Sequence, residues 1–196
     1  MFGLELVYPW IPVAPVIIII VVVLWTVFAY NHFVAVVQRA KEAWADIDVQ
    51  LKRRYDLIPN LIETVKGYAV HERGVFESVT AARTAAMSAG TNLEERGKAE
   101  NMLTGALKSL FAVSEAYPSL MANQNFLELQ RELADTENKI QAARRFYNGN
   151  VRDLNTALQR FPSNIIAGVF HFEAREFFEL GEGEQAAREP VKVSFS

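Results

Sequence analysis

The side chains that could do chemistry in this chain are carboxylates and arginines, with three histidines and no cysteine. Without cysteine there is no disulfide framework, no thiolate metal site and no cysteine nucleophile. Nine polar residues are of interest because they fall on or beside apolar positions with helical spacing. These residues, here called the polar seam, are Asp48, Arg54, Glu72, Arg83, Glu115, Glu137, Asn138, Arg144 and Asn148. Because buried charges must be paired, the polar seam predicts either contacts between helices or a carboxylate-rich metal site.

A metal site is the less favoured of these two interpretations. Di-iron sites in helical bundles use Glu-x-x-His on facing helices, and that motif does not occur in the sequence. His71 and Glu72 are adjacent, so on a helix their side chains would point about 100° apart and could not share a metal ion. We therefore expect no metal and no other cofactor. The polar seam is instead interpreted as ion pairs and hydrogen bonds that fix the register of similar helices.

His71 also permits a different function. An exposed histidine beside an acidic residue on a helix is typical of bundle proteins that accept a phosphoryl group from a separate kinase domain, but short matches of this kind occur by chance. A solvated surface histidine is the simpler interpretation. No histidine cluster or pocket-forming pattern supports catalysis, so we predict that the chain is not an enzyme.

The segment from 13 to 31 has the composition of a membrane-spanning helix. No charged residue lies between Glu5 and Arg39, and about 20 apolar residues at 1.5 Å each span a hydrocarbon core of ~30 Å. A cleaved signal peptide is disfavoured because the preceding MFGLELVYPW has no Lys or Arg. Aromatic residues are predicted to lie at the two membrane interfaces, namely Tyr8, Trp10, Trp25 and Tyr30.

The charges that flank this segment predict its orientation. No Lys or Arg precedes it, whereas Arg39 and Lys41 follow it closely. The positive-inside rule therefore predicts an N-terminus outside and a C-terminal part in the cytoplasm. The small net charge of −3, with no long basic run, argues against nucleic acid as a partner.

The rest of the chain shows helical periodicity. We predict an all-α fold in which the transmembrane helix continues into an antiparallel up-down bundle of about four long helices. A turn is expected at Leu57-Ile58-Pro59, and Asn92 is expected to start the third helix. The predicted regions are a lead at 1–12, the transmembrane helix at 13–31, the bundle at 32–162, and a C-terminal segment and tail at 163–196.

Several motifs together resemble the LemA family. They are AWADIDVQLKRRYDLIPNL from Ala43, Glu115-Ala116-Tyr117-Pro118, Thr136-Glu137-Asn138 and ARRFYN from Ala143. The resemblance extends from about residue 30 to residue 178. It implies a bacterial protein with one membrane span and a helical bundle, in a family that includes a protein of magnetosome membranes, and it implies no agreed activity.

We therefore expect a non-enzymatic scaffold or adaptor at the cytoplasmic face of the bacterial inner membrane, with the lipid bilayer and an unidentified protein as partners. The alternative is an accessory to membrane signalling or proteolysis that docks an enzyme or accepts phosphate at His71. Phe33, Val34 and Val37 lie just past the span, so they are predicted to form a parallel homo-oligomer contact. The Phe-rich stretch after Val169 is expected to pack against the bundle. The alternative is a patch that meets another subunit or the membrane surface, and the subunit is favoured because the acidic residues of this stretch disfavour anionic lipid.

Overall fold

The computed structural model describes residues 13–179, which form α-helices and no strand within that range. The helices are α1 (Val13–Lys66), α2 (Arg73–Ser88), α3 (Leu93–Ser114), α4 (Pro118–Met121), α5 (Gln124–Gln159) and α6 (Ser163–Val169). Four of them are long, and α4 and α6 have only four and seven residues. The predicted all-α fold with four long helices is confirmed.

The turn predicted at Leu57-Ile58-Pro59 is wrong, because α1 continues through Pro59 to Lys66. Proline lacks the N–H that would bond to the carbonyl of Tyr55 one turn earlier. The Arg83 side chain compensates: its Nε donates to the Tyr55 carbonyl oxygen at 2.7 Å. Burial of Ile58 and Leu61 on either side of the proline also favours the continuous helix.

The chain divides into two compact units, each built from separate stretches of sequence. The described part of the first, here called the span unit, comprises residues 13–42 and 149–175. The described part of the second, here called the bundle unit, comprises residues 43–148 and 176–179. Helices α1 and α5 contribute residues to both units.

In the bundle unit, side-chain contacts define the helix directions. Asp48 and Arg54 of α1 pair with Arg96 and Glu100 of α3 in the same order along the chain, so these two helices run parallel. Helix α5 runs antiparallel to α1, because Trp44 meets Tyr147 at 5.3 Å between ring centroids and Arg54 meets Glu137.

Helix α2 completes the up-down order. A hydrogen bond of 3.3 Å from Tyr117 to Glu72 joins the end of α3 to the start of α2. The start of α3 is capped as predicted, since the Asn92 side chain accepts from the backbone N–H groups of Glu94 and Glu95 at 2.9 and 3.1 Å. These contacts confirm the antiparallel up-down bundle.

The span unit contains the apolar start of α1. Among the described residues, α1 is the one helix long and apolar enough to cross a membrane, with a mean hydropathy of 2.7 over its most apolar window. Its large side chains from Val16 to Leu24 are exposed, as expected for a surface that meets lipid. Beyond them, α1 joins a core cluster made by Ala29, Phe33, Val36, Leu154, Ile166 and Ala167.

Residues 172–179 form an extended, non-helical segment that packs against α5 in each unit. In the span unit, Asn155 donates to the carbonyl of Arg175 at 2.9 Å and accepts from its N–H at 3.0 Å. In the bundle unit, Asn148 bonds the backbone of Phe178 in the same two-bond manner, at 3.0 and 2.9 Å. The predicted packing of the Phe-rich stretch thus holds for Phe172 and Phe178, whereas Phe170 and Phe177 are exposed.

Candidate functional site

The most concentrated polar chemistry in the bundle unit surrounds Arg54, whose side chain is 2% exposed. Its guanidinium forms an ion pair with Glu100 of α3 and a second, at 2.8 Å, with Glu137 of α5. It also donates to the hydroxyl of Thr104 at 3.4 Å. One arginine thus connects α1, α3 and α5 at a single level of the bundle.

Glu100 is the most deeply buried acid in this cluster, with a side chain 1% exposed. Besides Arg54, it accepts a hydrogen bond from the phenol of Tyr55. Burial raises the pKa of Tyr55, although the charges of Arg96 and Arg54 oppose this shift. The neutral phenol therefore stays a donor to the carboxylate well into the alkaline range.

Burial also lowers the pKa of Arg54 from its usual value, and the charge of Glu137 counteracts that effect. The arginine Nε has no hydrogen-bond acceptor within residues 13–179. A buried ion pair with incomplete hydrogen bonding adds little net stability, but removing one partner is strongly destabilising. The cluster is therefore suited to fixing which helix faces meet: Arg54 and Glu100 are almost completely buried, and Glu137 is partly exposed.

A second group of contacts surrounds Trp44. Its ring packs edge-on against Tyr147 and, at 5.2 Å, against Phe178 of the extended segment. The Arg96 guanidinium lies 5.1 Å from the centre of the Trp44 ring and forms an ion pair with Asp48. This arrangement attaches the extended segment to the same helices that the Arg54 cluster joins.

The polar seam predicted from sequence is only partly brought together. Arg54 and Glu137 meet directly, Asp48 pairs with Arg96, and Arg83 bonds to a backbone carbonyl. Glu72 accepts from Tyr117, Asn148 holds Phe178, and Arg144 is buried at 8% exposure. Two members lie on the surface instead of a helix interface, namely Glu115 and Asn138.

The residues that these two groups of contacts add to the predicted ones include Tyr55, Arg96 and Glu100. A signal for Glu100 was present, because it lies three residues before Leu103 on the buried face of α3. Tyr55 and Arg96 carry no comparable signal, since their roles depend on which helix lies opposite.

His71 is exposed, as predicted, but it lies in the connection between α1 and α2 and not on a helix. The helical setting that made it resemble a phosphoacceptor is therefore wrong. No group of three or more His, Asp or Glu residues suitable for a metal ion occurs within residues 13–179.

The predicted membrane-interface and self-association residues belong to the span unit. Trp25 is half-buried against the core cluster, Tyr30 is 39% exposed, and Tyr8 and Trp10 lie outside the described residues.

The self-association surface needs correction. Phe33 is fully buried and stacks on Phe172 at 4.9 Å, and Val37 packs on the same core. Val34 is half-buried. The end of α5, α6 and the extended segment cover Phe33, so Phe33 cannot serve as an interface between copies, whereas Val34 and Val37 stay partly accessible.

Comparison with known proteins identifies the family to which this sequence is similar. Residues 43–195 match the sequence model of the LemA family. The curated relatives include the magnetosome proteins MamQ 2 and MamQ 1 of Paramagnetospirillum magneticum, each 24% identical over 175 residues. The magnetosome protein MamQ of Magnetospirillum gryphiswaldense is 24% identical over 174 residues. Each match covers 76% of this chain but 64% of the relative, so the chain spans less than two thirds of the length of these relatives.

Proposed function

Because this chain belongs to the LemA family, we propose that it is a non-enzymatic, membrane-anchored scaffold or adaptor that presents its helical bundle at the cytoplasmic face of the membrane. The single observation that carries the proposal is the continuity of α1 from Val13 to Lys66. One helix supplies both the exposed apolar segment and buried core positions such as Ile47 and Leu51. This arrangement is compatible with a single-pass membrane protein that acts by presenting an exposed surface to binding partners.

The buried Arg54 cluster supports the non-enzymatic part of the proposal. Its charged atoms are directed at protein partners on three helices, and both Arg54 and Glu100 are nearly inaccessible to water. Catalytic groups must reach a substrate, and these do not. The cluster serves to keep a fixed arrangement of exposed faces, which is what an adaptor needs.

The cytoplasmic orientation is supported by charge. The 38 residues before Arg39 contain no Lys or Arg, whereas Arg39, Lys41, Lys52 and Arg53 follow the apolar segment. A reporter fused after Ser196 tests this directly. We expect cytoplasmic green fluorescence and no activity from a fused phosphatase that works only outside the cytoplasm. An active phosphatase would show the opposite orientation.

Self-association remains part of the proposal, through surfaces other than Phe33. Copies anchored in one membrane share an orientation and meet at high effective concentration, so the assembly would be parallel. Mass photometry of the full-length protein in mild detergent measures it, and strictly monomeric particles over the whole concentration range would contradict it.

The competing role, phosphate acceptance at His71, is supported only by the exposure of that side chain. Incubation with labelled phosphodonors tests it, with His71→Ala as the control. We expect no acid-labile phosphate on either protein, and labelling that depends on His71 would favour the accessory role instead.

A further inference from the structure

The turn after α5 and helix α6 expose a cluster of large apolar side chains. Phe161, Ile165, Val169 and Phe170 are 76%, 53%, 64% and 46% exposed. The opposite face of α6 is buried, because Ile166 and Ala167 pack in the core of the span unit. Single exposed apolar residues are ordinary, but a cluster of this kind marks a contact surface.

The position of this cluster along α1 indicates what it contacts. Ile166 and Ala167 share a core with Ala29 and Phe33 of α1, and the ring of Tyr30 lies 4.8 Å from that of Phe170. A hydrocarbon core of ~30 Å takes about 20 helical residues, so a span that starts at Val13 leaves the hydrocarbon near His32. Helix α6 therefore packs on α1 at the depth where α1 leaves the bilayer.

The charges near this cluster favour lipid headgroups. No Asp or Glu occurs from Leu154 to Phe172, a stretch that contains Arg160 and His171. A groove of about 530 Å³ beside it is lined by Arg39, Arg152 and Arg160, and Asp153 is the one carboxylate among its lining residues. Basic groups at the membrane surface attract anionic lipids.

We infer that Phe161 and the outer face of α6, with Ile165, Val169 and Phe170, form a second membrane contact that lies in the interfacial region of the bilayer entered by α1. Anionic headgroups occupy the space beside Arg160. This contact adjoins the lipid-exposed surface of the span. Because the two surfaces are continuous, lipid is favoured over a protein partner as the occupant. The inference rests on the membrane anchoring in the proposed function.

Spin labelling of the full-length protein tests the inference, and the absence of native cysteine makes single labels straightforward. Ile165→Cys carries the test label. Ile18→Cys, at an exposed position of the span, and Glu42→Cys, at an exposed polar position of α1, are the matched controls. Each protein is reconstituted in phosphatidylcholine vesicles with and without phosphatidylglycerol. Collision rates with oxygen, which concentrates in lipid, and with a water-soluble nickel chelate then report the depth of each label.

The expected result is high oxygen and low nickel accessibility at position 165, nearer to position 18 than to position 42. Phosphatidylglycerol should increase this difference, and Arg160→Gln should remove the increase. High nickel accessibility at 165 would mean that α6 faces water, and low accessibility to both reagents would mean that protein covers it. Either result overturns the inference, and equal values with and without phosphatidylglycerol overturn the role of Arg160. Nickel-accessible labels at position 18 would instead contradict the membrane anchor itself.

Discussion

Arg54 connects three helices through one buried side chain, and its partners determine what it contributes. Burying a guanidinium is costly, and its ion pairs with Glu100 and Glu137 offset most of that cost without a large surplus. The contribution is instead to specificity, because a bundle with shifted helices would leave the charge unpaired. Exposed pairs such as Lys98 with Glu94 have no such consequence.

Replacing Arg54 with Met is therefore expected to destabilise the protein by about 3–5 kcal/mol, because Glu100 stays buried without its cation. Adding Glu100→Leu should recover part of the loss, since the double variant buries no unpaired charge. Thermal unfolding of the protein in mild detergent, followed by circular dichroism, measures both. Lys98→Ala is the surface control and should leave the melting temperature unchanged. A melting temperature for Arg54→Met equal to that of the control would contradict the buried pairing.

Tyr55 gives the cluster a pH dependence. Its folded pKa is raised above the ordinary value of 10.0, so the unfolded chain loses this proton first as pH rises. The stability that Tyr55 contributes is thus fully present below pH 10 and decreases as pH rises from 10 towards the folded pKa. Unfolding free energies measured from pH 8 to 11 should fall more steeply for the natural protein than for Tyr55→Phe. Equal slopes of unfolding free energy against pH in the two proteins would show that the Tyr55 phenol is not shielded from water.

For individual residues, the sequence predicts which polar side chains need a partner more successfully than it predicts which residue that partner is. Arg54, Glu137 and Asp48 were expected to lie at helix contacts and do so. Glu115 and Asn138 were expected there too and lie on the surface. A shift of one residue around a helix turns a side chain by about 100°, so a residue beside an apolar stripe can face either way.

Among the elements, α1 shows how tertiary contacts override a local signal. A proline inside a helix removes one hydrogen bond and commonly ends or kinks the helix. Here the Arg83 side chain supplies the missing donor to Tyr55, and neighbouring buried residues hold the helix in place. Local sequence predicts a turn because it contains Pro59, whereas the compensating Arg83 lies 28 residues after Tyr55, the residue whose carbonyl it reaches.

Compensation of this kind predicts a coupling between Arg83 and Pro59. Arg83→Met should cost about 1–3 kcal/mol in the natural protein, because the Tyr55 carbonyl loses its donor. In a Pro59→Ala background the restored N–H bonds to that carbonyl, so the same substitution should cost clearly less. Urea unfolding of the four proteins of the cycle measures the difference. Identical costs in both backgrounds would mean that Arg83 does not replace the missing backbone donor.

The extended segment depends on asparagine amides of α5, which predicts a specific effect of Asn148→Ala. This change removes both hydrogen bonds to Phe178 and should release that ring from Trp44. Hydrogen exchange of residues 176–179 should then become markedly faster. Asn138→Ala is the matched control, because Asn138 is an exposed asparagine of the same helix. Equal exchange in both variants would contradict the anchoring role of Asn148.

At the scale of the whole molecule, the membrane segment and the folded core are not separate modules. The sequence predicts a boundary at residue 31, where hydropathy falls and charges begin. The core cluster of the span unit extends across this position, with Ala29 on one side and Phe33 and Val36 on the other. Local composition indicates whether a residue lies in lipid or in water. It does not indicate that the end of α5 and helix α6 pack against α1 at Ala29, on the N-terminal side of residue 31.

Two shortened chains test this overlap. A chain that starts at Leu24 keeps Trp25 and Ala29, whereas one that starts at His32 loses both from the core. Trp25 is half-buried and Ala29 is small, so losing their contacts should cost about 1–3 kcal/mol. Because 1 kcal/mol lowers the melting temperature of a chain of this size by about 2–4 °C, the chain from His32 should melt about 2–12 °C below the chain from Leu24 when both are measured in mild detergent. It should also bind more of a dye specific for exposed apolar surface. Full-length Ile19→Ala is the control, because Ile19 is 62% exposed and lies outside the core cluster. If the two shortened chains melt together, the segment before residue 32 is an anchor alone and contributes nothing to the core.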